Sequence, residues 1–155
     1  MFSFSFFLAH GFGATLSDSL YFEPNLGQSR DPVRYVARAR GAVALILDDG
    51  IMLRNAAATV RLTWEDPSPG SRLQSLEPAP GVTSYLTGRD SSHWLHNIPH
   101  FSRVTRKNLY PGIDLILYGS LGRLEFDFCR RSGFGPYPHP FPPQRTSGAY
   151  RRPIG

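Results

Sequence analysis

The chain has 155 residues, with 15 glycines, 14 prolines, one cysteine and a formal charge of +5. That is one domain at most, large enough to bury a core without metal or disulfide help. A single thiol excludes an internal disulfide, and no apolar run reaches the length of a membrane-spanning helix. The basic balance is no nucleic-acid signal, because residues 1–128 hold 12 basic and 12 acidic side chains. The excess (Arg130, Arg131, Arg145, Arg151, Arg152) all lies beyond Phe128, whereas phosphate binding needs a basic face on the folded body.

Residues 1–20 open on an apolar run and turn small and polar. They form an apolar leader or degenerate signal segment, since the positive start of a secretory signal is missing. From 21 to 128 the pattern is that of a β domain. Val33, Tyr35, Ala37 and Ala39 alternate with Arg34, Val36, Arg38 and Arg40, as in a half-buried strand. Gly41 ends that run, and Ala42–Leu47 is continuously apolar, which suits a strand covered on both sides. Asp48-Asp49-Gly50 predicts a hairpin turn, on the ground that Asp and Gly tolerate positive φ, with Ile51–Arg54 returning. Thr59–Trp64 alternates again. Pro67–Pro80 reads as a proline-rich loop, Val82–Leu86 as a strand, and Ser91–Asn97 as a helical turn capped by Ser91 or Ser92. Phe101–Leu109 is a polar strand that leads to a turn at Tyr110-Pro111-Gly112.

Residues 110–128 carry the strongest pattern. Two alternating runs meet at Gly119-Ser120-Leu121-Gly122. Pairing Tyr118 with Arg123 sets Leu117 opposite Leu124, Leu115 opposite Phe126 and Ile113 opposite Phe128. One face is then apolar, and Asp114, Ile116, Tyr118, Arg123, Glu125 and Asp127 take the other. The expectation is all-β: an antiparallel meander or sandwich-like sheet with one short helical turn. Residues 129–155 hold six prolines and five arginines and no acidic residue, the composition of a disordered tail.

Four blocks carry a resemblance: FEPNLGQ (22–28), VRYVARARG (33–41), SYLTGRDSSHWLHNIPHFSRV (84–104) and YPGIDLILYGSLGRLEFDF (110–128). In this order they resemble the uncharacterised N-terminal domain that precedes SBBP-type β-propeller repeats in large exported bacterial proteins. Leu26, Ser91 and His96 depart from that family's pattern. The resemblance implies an all-β module of unknown biochemical role on exported or cell-surface proteins, with its own propeller repeats as partner, and it supplies no catalytic residues. In that family the last block leads into a strand of the kind VVAPGADPxxIRF. Here a shift of one base after Phe128, under a permissive choice of codons, turns the tail into VVAPGSDPTRIRFRLS. The expectation is therefore a frameshifted and truncated family member that lacks its propeller.

Several constellations bear on chemistry. Asp114 and Asp127, opposed in the expected ladder with Glu125 nearby, suit ion pairing within the sheet or a hard cation such as calcium. Trp64, Trp94 and Tyr118, with Tyr85 and Tyr110, could stack on sugars, against the commoner role of aromatics in a β core. His93, His96 and His100 have no acidic or thiol ligand close in sequence, so surface or packing roles are expected. Glu23, Asn25 and Gln28 sit in a Pro/Gly turn, where the Asn and Gln amides are expected to cap backbone groups. Arg34, Arg38 and Arg40 read as a solvated strand face. No Ser/His/Asp or Cys/His motif is present. The reading is a non-enzymatic structural or adhesive module, with no cofactor, nucleic acid or membrane span. The alternative is a carbohydrate- or calcium-binding module that meets surface glycans.

Overall fold

The computed structural model describes residues 20–39 and 41–131. The leader up to residue 19, Arg40 and residues 132–155 of the expected tail lie outside them. The described chain forms nine antiparallel strands: β1 (Phe22–Pro24), β2 (Val33–Ala39), β3 (Ala42–Leu47), β4 (Gly50–Asn55), β5 (Thr59–Thr63), β6 (Leu73–Tyr85), β7 (Leu95–Tyr110), β8 (Ile113–Ser120) and β9 (Arg123–Arg130). One 3-10 turn, Ser91–His93, precedes β7. The all-β expectation holds.

The strand order is β5-β4-β3-β2-β1-β7-β8-β9, with β6 attached to β7. Two meanders, β2–β5 and β7–β9, are thus joined through β1. Phe101 of β7 is the partner of both Phe22 and Pro78, so β1 and β6 run along opposite edges of β7. The sheet curls until its ends meet. Trp64, just after β5, packs edge-on against Phe126 and Phe128 of β9, with ring centroids 6.2 and 6.0 Å apart. Phe22, Ala37, Ile46, Ile51, Val104, Leu109, Leu115 and Leu117 fill the space between. Each large aliphatic or aromatic side chain there contributes about 1.5–3 kcal/mol by leaving water.

Alternation placed the faces of β8 and β9 correctly but not their pairing. Leu117 lies opposite Phe126 and Leu115 opposite Phe128, while Tyr118 faces Glu125 and Ser120 faces Arg123. The ladder has moved by two residues because the turn is only Leu121-Gly122, both at positive φ (49° and 71°). A two-residue shift preserves which side chains share a face, so alternation alone cannot detect it. β9 also continues beyond Phe128: Cys129 pairs with Asp114 and Arg130 with Ile113.

Three local expectations change. The β3–β4 hairpin turns through Asp48-Asp49 alone, with Leu47 opposite Gly50, and neither aspartate has positive φ. Gly50 is instead required by close approach, since a Cβ there would sit 2.0 Å from the Leu62 carbonyl oxygen. The expected loop 67–80 is half strand: β6 runs through Pro78 and Pro80. Among the described residues its only partner is β7, so a missing proline N–H costs no ladder bond on the outer side. The cap of the 3-10 turn is Asp90, whose carboxylate accepts from Ser92 N–H at 2.9 Å, and residues 95–97 belong to β7.

Candidate functional site

β1 presents Phe22 to the core and Glu23 to the opposite face. That face is covered as well, and Glu23 is 1 % exposed. β6 is the cover. Its register with β7 breaks between Ala79 and Val82, a bulge that bends the strand. Gly81, at φ +93°, passes His100 so closely that a Cβ would lie 3.3 Å from its Nδ1. The bend carries Thr83 and Tyr85 onto the carboxylate: the Thr83 hydroxyl donates to Glu23 Oε1 at 2.7 Å and the Tyr85 hydroxyl donates to Oε2.

His100, also buried, completes the network. With the Thr83 proton committed to Glu23, the Thr83 oxygen accepts from His100 Nε2 at 2.7 Å, and that nitrogen lies 3.8 Å from Glu23 Oε1. Tyr21 stacks on the imidazole with centroids 3.7 Å apart. Outside, Arg38 of β2 donates to the Tyr85 oxygen from Nε and Nη2 at 3.2 and 3.1 Å and lies over its ring. Burial, reinforced by the bond to Glu23, pushes the Tyr85 phenol above its usual range. β1, β2, β6 and β7 are thereby tied together by one buried carboxylate.

A second polar region sits where β2, β7 and the start of β6 meet the Asp48-Asp49 turn. It is a cleft of about 560 Å³ whose lining includes Arg34, Asp48, Ser71, Arg72 and Arg106. Arg106 is 5 % exposed. Its Nε donates to Ser71 Oγ at 2.9 Å, Nη1 to the Asp48 carbonyl and Nη2 to the Ser71 carbonyl at 3.5 Å. Burial lowers the Arg106 pKa from its ordinary value. The Asp48 carboxylate belongs to Arg34 at 2.8 Å, and Asp49 to Arg61 at 2.6 Å.

The residues singled out from sequence fall mostly elsewhere. Asp114 does not oppose Asp127; it faces Cys129, and Asp127 faces Ile116. Each carboxylate has partners of its own. Asp114 accepts from Asn108 N–H at 2.6 Å and pairs with Arg131 at 3.2 Å, while Asp127 accepts from the Tyr118 hydroxyl at 3.1 Å. Burial first, and Asp127 second, push the Tyr118 phenol up to about 12. Burial and the two aspartates raise the Cys129 thiol. Among the described residues no group of three or more His, Cys, Asp and Glu is arranged to hold a metal ion.

The aromatic platform does not assemble. Trp64 is 6 % exposed and belongs to the core, so its ring has no face open to a sugar. Trp94 is half-buried against His96 and donates to the Gly88 carbonyl at 3.3 Å. Tyr118 lies across from Arg103, eight strand residues and about 26 Å beyond Leu95 at 3.3 Å per residue. The histidines separate too, since His93 and His96 are exposed while His100 is buried. Asn25 and Gln28 cap as expected: Asn25 Nδ2 donates to the Ser29 and Val33 carbonyls, and Gln28 Nε2 to that of Pro24. Of the strand arginines, Arg34 holds Asp48 and Arg38 rests on Tyr85.

The model of a family described as a domain of unknown function, DUF7948, matches residues 22–136. The chain belongs to this family. No curated protein and no solved structure matches it. The matched stretch of the DUF7948 domain takes in β1–β9, the Glu23 network apart from Tyr21, and the whole Arg106 cleft. Sequence reading placed Glu23 only in a turn and singled out neither Thr83 nor Arg106. No local signal marked Glu23, since an acidic residue one step from a core phenylalanine is what an ordinary half-exposed strand shows.

Proposed function

We propose that this DUF7948 domain is a non-catalytic structural module of a larger exported bacterial protein. The observation that carries the reading is the commitment of buried Glu23 and His100 to partners inside the fold. Both oxygens of Glu23 accept from hydroxyls of β6, and His100 Nε2 serves Thr83. A carboxylate and an imidazole at 1 % and 7 % side-chain exposure lack the access that acid–base work on a substrate requires. A network of this kind fixes one strand arrangement, which is what a rigid module between other domains needs. The reading requires no cofactor.

The resemblance to domains that precede SBBP-type propeller repeats supports an exported setting, with the propeller as the module's natural neighbour. The change of composition after Phe128 supports a frame break there. A strand survives on both accounts: β9 runs to Arg130, and the alternative frame begins Val-Val-Ala, which also suits a strand. Sequencing the genomic DNA downstream of the Phe128 codon tests this part. Propeller repeats in the neighbouring frame are expected; their absence from every frame would overturn it. Assay of the full chain against generic ester and glycoside substrates tests the rest, and turnover that Glu23→Gln abolishes would refute a structural role.

A further inference from the structure

A buried charge is costly unless it is paired, and a buried guanidinium normally meets a carboxylate. Arg106 does not. Among the described residues no carboxylate comes within 4 Å of it, and the two nearest acidic side chains, Asp48 and Asp49, are paired with Arg34 and Arg61. Its hydrogen bonds run to neutral oxygens of Ser71 and Asp48. These fix the plane of the guanidinium and use three of its five N–H donors, while Asp48 and Asp49, each already paired, act on its charge only from beyond contact distance. Arg34 and Arg72 line the same cleft with Asp48 as the acidic member, so three cations face one anion.

We propose that this cleft is a binding site for an oxyanion group, carboxylate or phosphate-like, carried by a small molecule. A guanidinium held in a fixed plane presents paired donors that match two oxygens of such a group. Arg72, which is exposed, supplies the second charge from the rim, and the Arg34–Asp48 pair closes one side. A cleft of about 560 Å³ is in the range that takes small ligands. The site shares no residue with the Glu23 network, so it stands whether or not the structural role holds.

The test is titration of the full chain at constant ionic strength with sodium phosphate, sulfate, acetate and galacturonate, using chloride as the control and calorimetry as the readout. One-to-one binding of at least one oxyanion is expected, weakened tenfold or more by Arg72→Gln and by Arg106→Met. Phosphate and sulfate ahead of the other two would assign a tetrahedral group, and the reverse order a carboxylate. Arg72→Gln alters an exposed side chain whose hydrogen bond runs to the Ser71 carbonyl at 3.1 Å, so it decides the matter if Arg106→Met fails to fold. No oxyanion binding above the chloride control, or binding unchanged within twofold in Arg72→Gln, would overturn the proposal.

Discussion

Glu23 and Arg106 are both charged, both almost wholly buried, and answered in opposite ways. Glu23 is met by two hydroxyl donors and an imidazole, with the Arg38 cation one step behind. Arg106 is met by neutral oxygens alone and borders an open cleft. A buried charge whose counter-groups all come from its own fold is part of the framework, whereas one that lacks a counter-charge is a place to receive it. The same β-sheet thus supports one closed polar site and one open one, six residues apart on β7 at His100 and Arg106.

The contrast makes graded predictions. Glu23→Ala leaves the Thr83 and Tyr85 hydroxyls without their acceptor. It is expected to cost about 3–5 kcal/mol in urea denaturation, because two buried donors lose their partner at about 1–3 kcal/mol each and a cavity opens beside them. A cost under about 1 kcal/mol would place Glu23 outside the framework. Gly50→Ala forces a Cβ against the Leu62 carbonyl, and the β4–β5 pair should lose about 1–3 kcal/mol through the resulting backbone shift. Arg106→Met should cost less than Glu23→Ala, about 1–2 kcal/mol, because water in the cleft can replace its bonds to Ser71 and Asp48. An equal or greater loss would erase the distinction between the two regions.

The smaller effects lie on β8 and β9. The Tyr118 phenol titrates at about 12 in the folded chain against about 10 when unfolded. Below the unfolded value both states hold the proton and the stabilisation is complete. Between the two values the unfolded state releases it first, so stability falls as pH rises. Tyr118→Phe should flatten that part of the fall in the urea midpoint; Tyr85, raised in the same direction, keeps its own share. Asp114→Asn should change stability by roughly 0.5 kcal/mol, the scale of a partly exposed ion pair, and leave the thermal response to calcium unaltered. A calcium-dependent shift lost in that variant would restore the acidic face as a site.

How much of this was legible depends on the range of the interaction. Alternation is local, and it fixed which of Ile113–Phe128 face the core. The turn that sets their pairing was not legible, because Leu121 occupies a left-handed position that turn chemistry assigns to Gly or Asn. Prolines at 78 and 80 hid β6, since nothing local says that a strand will lie at an edge. Glu23 and its partners Thr83, Tyr85 and His100 are 60 or more residues apart in sequence, and only the curled sheet brings them together. Arg106 sits in a polar run, Thr105-Arg106-Lys107-Asn108, that reads as solvated. Its burial follows from Ser71 and the Asp48-Asp49 turn closing over it.

The most direct measurement is a double-mutant cycle in the full chain, combining Glu23→Gln with Tyr85→Phe and reading stability by urea denaturation. If the buried carboxylate holds β6 against β1, the two changes should be coupled by about 1–3 kcal/mol, as groups of one hydrogen-bonded network are. Additivity within about 0.3 kcal/mol would mean that the carboxylate and the phenol act independently, and the account of this face as a structural clamp would be wrong.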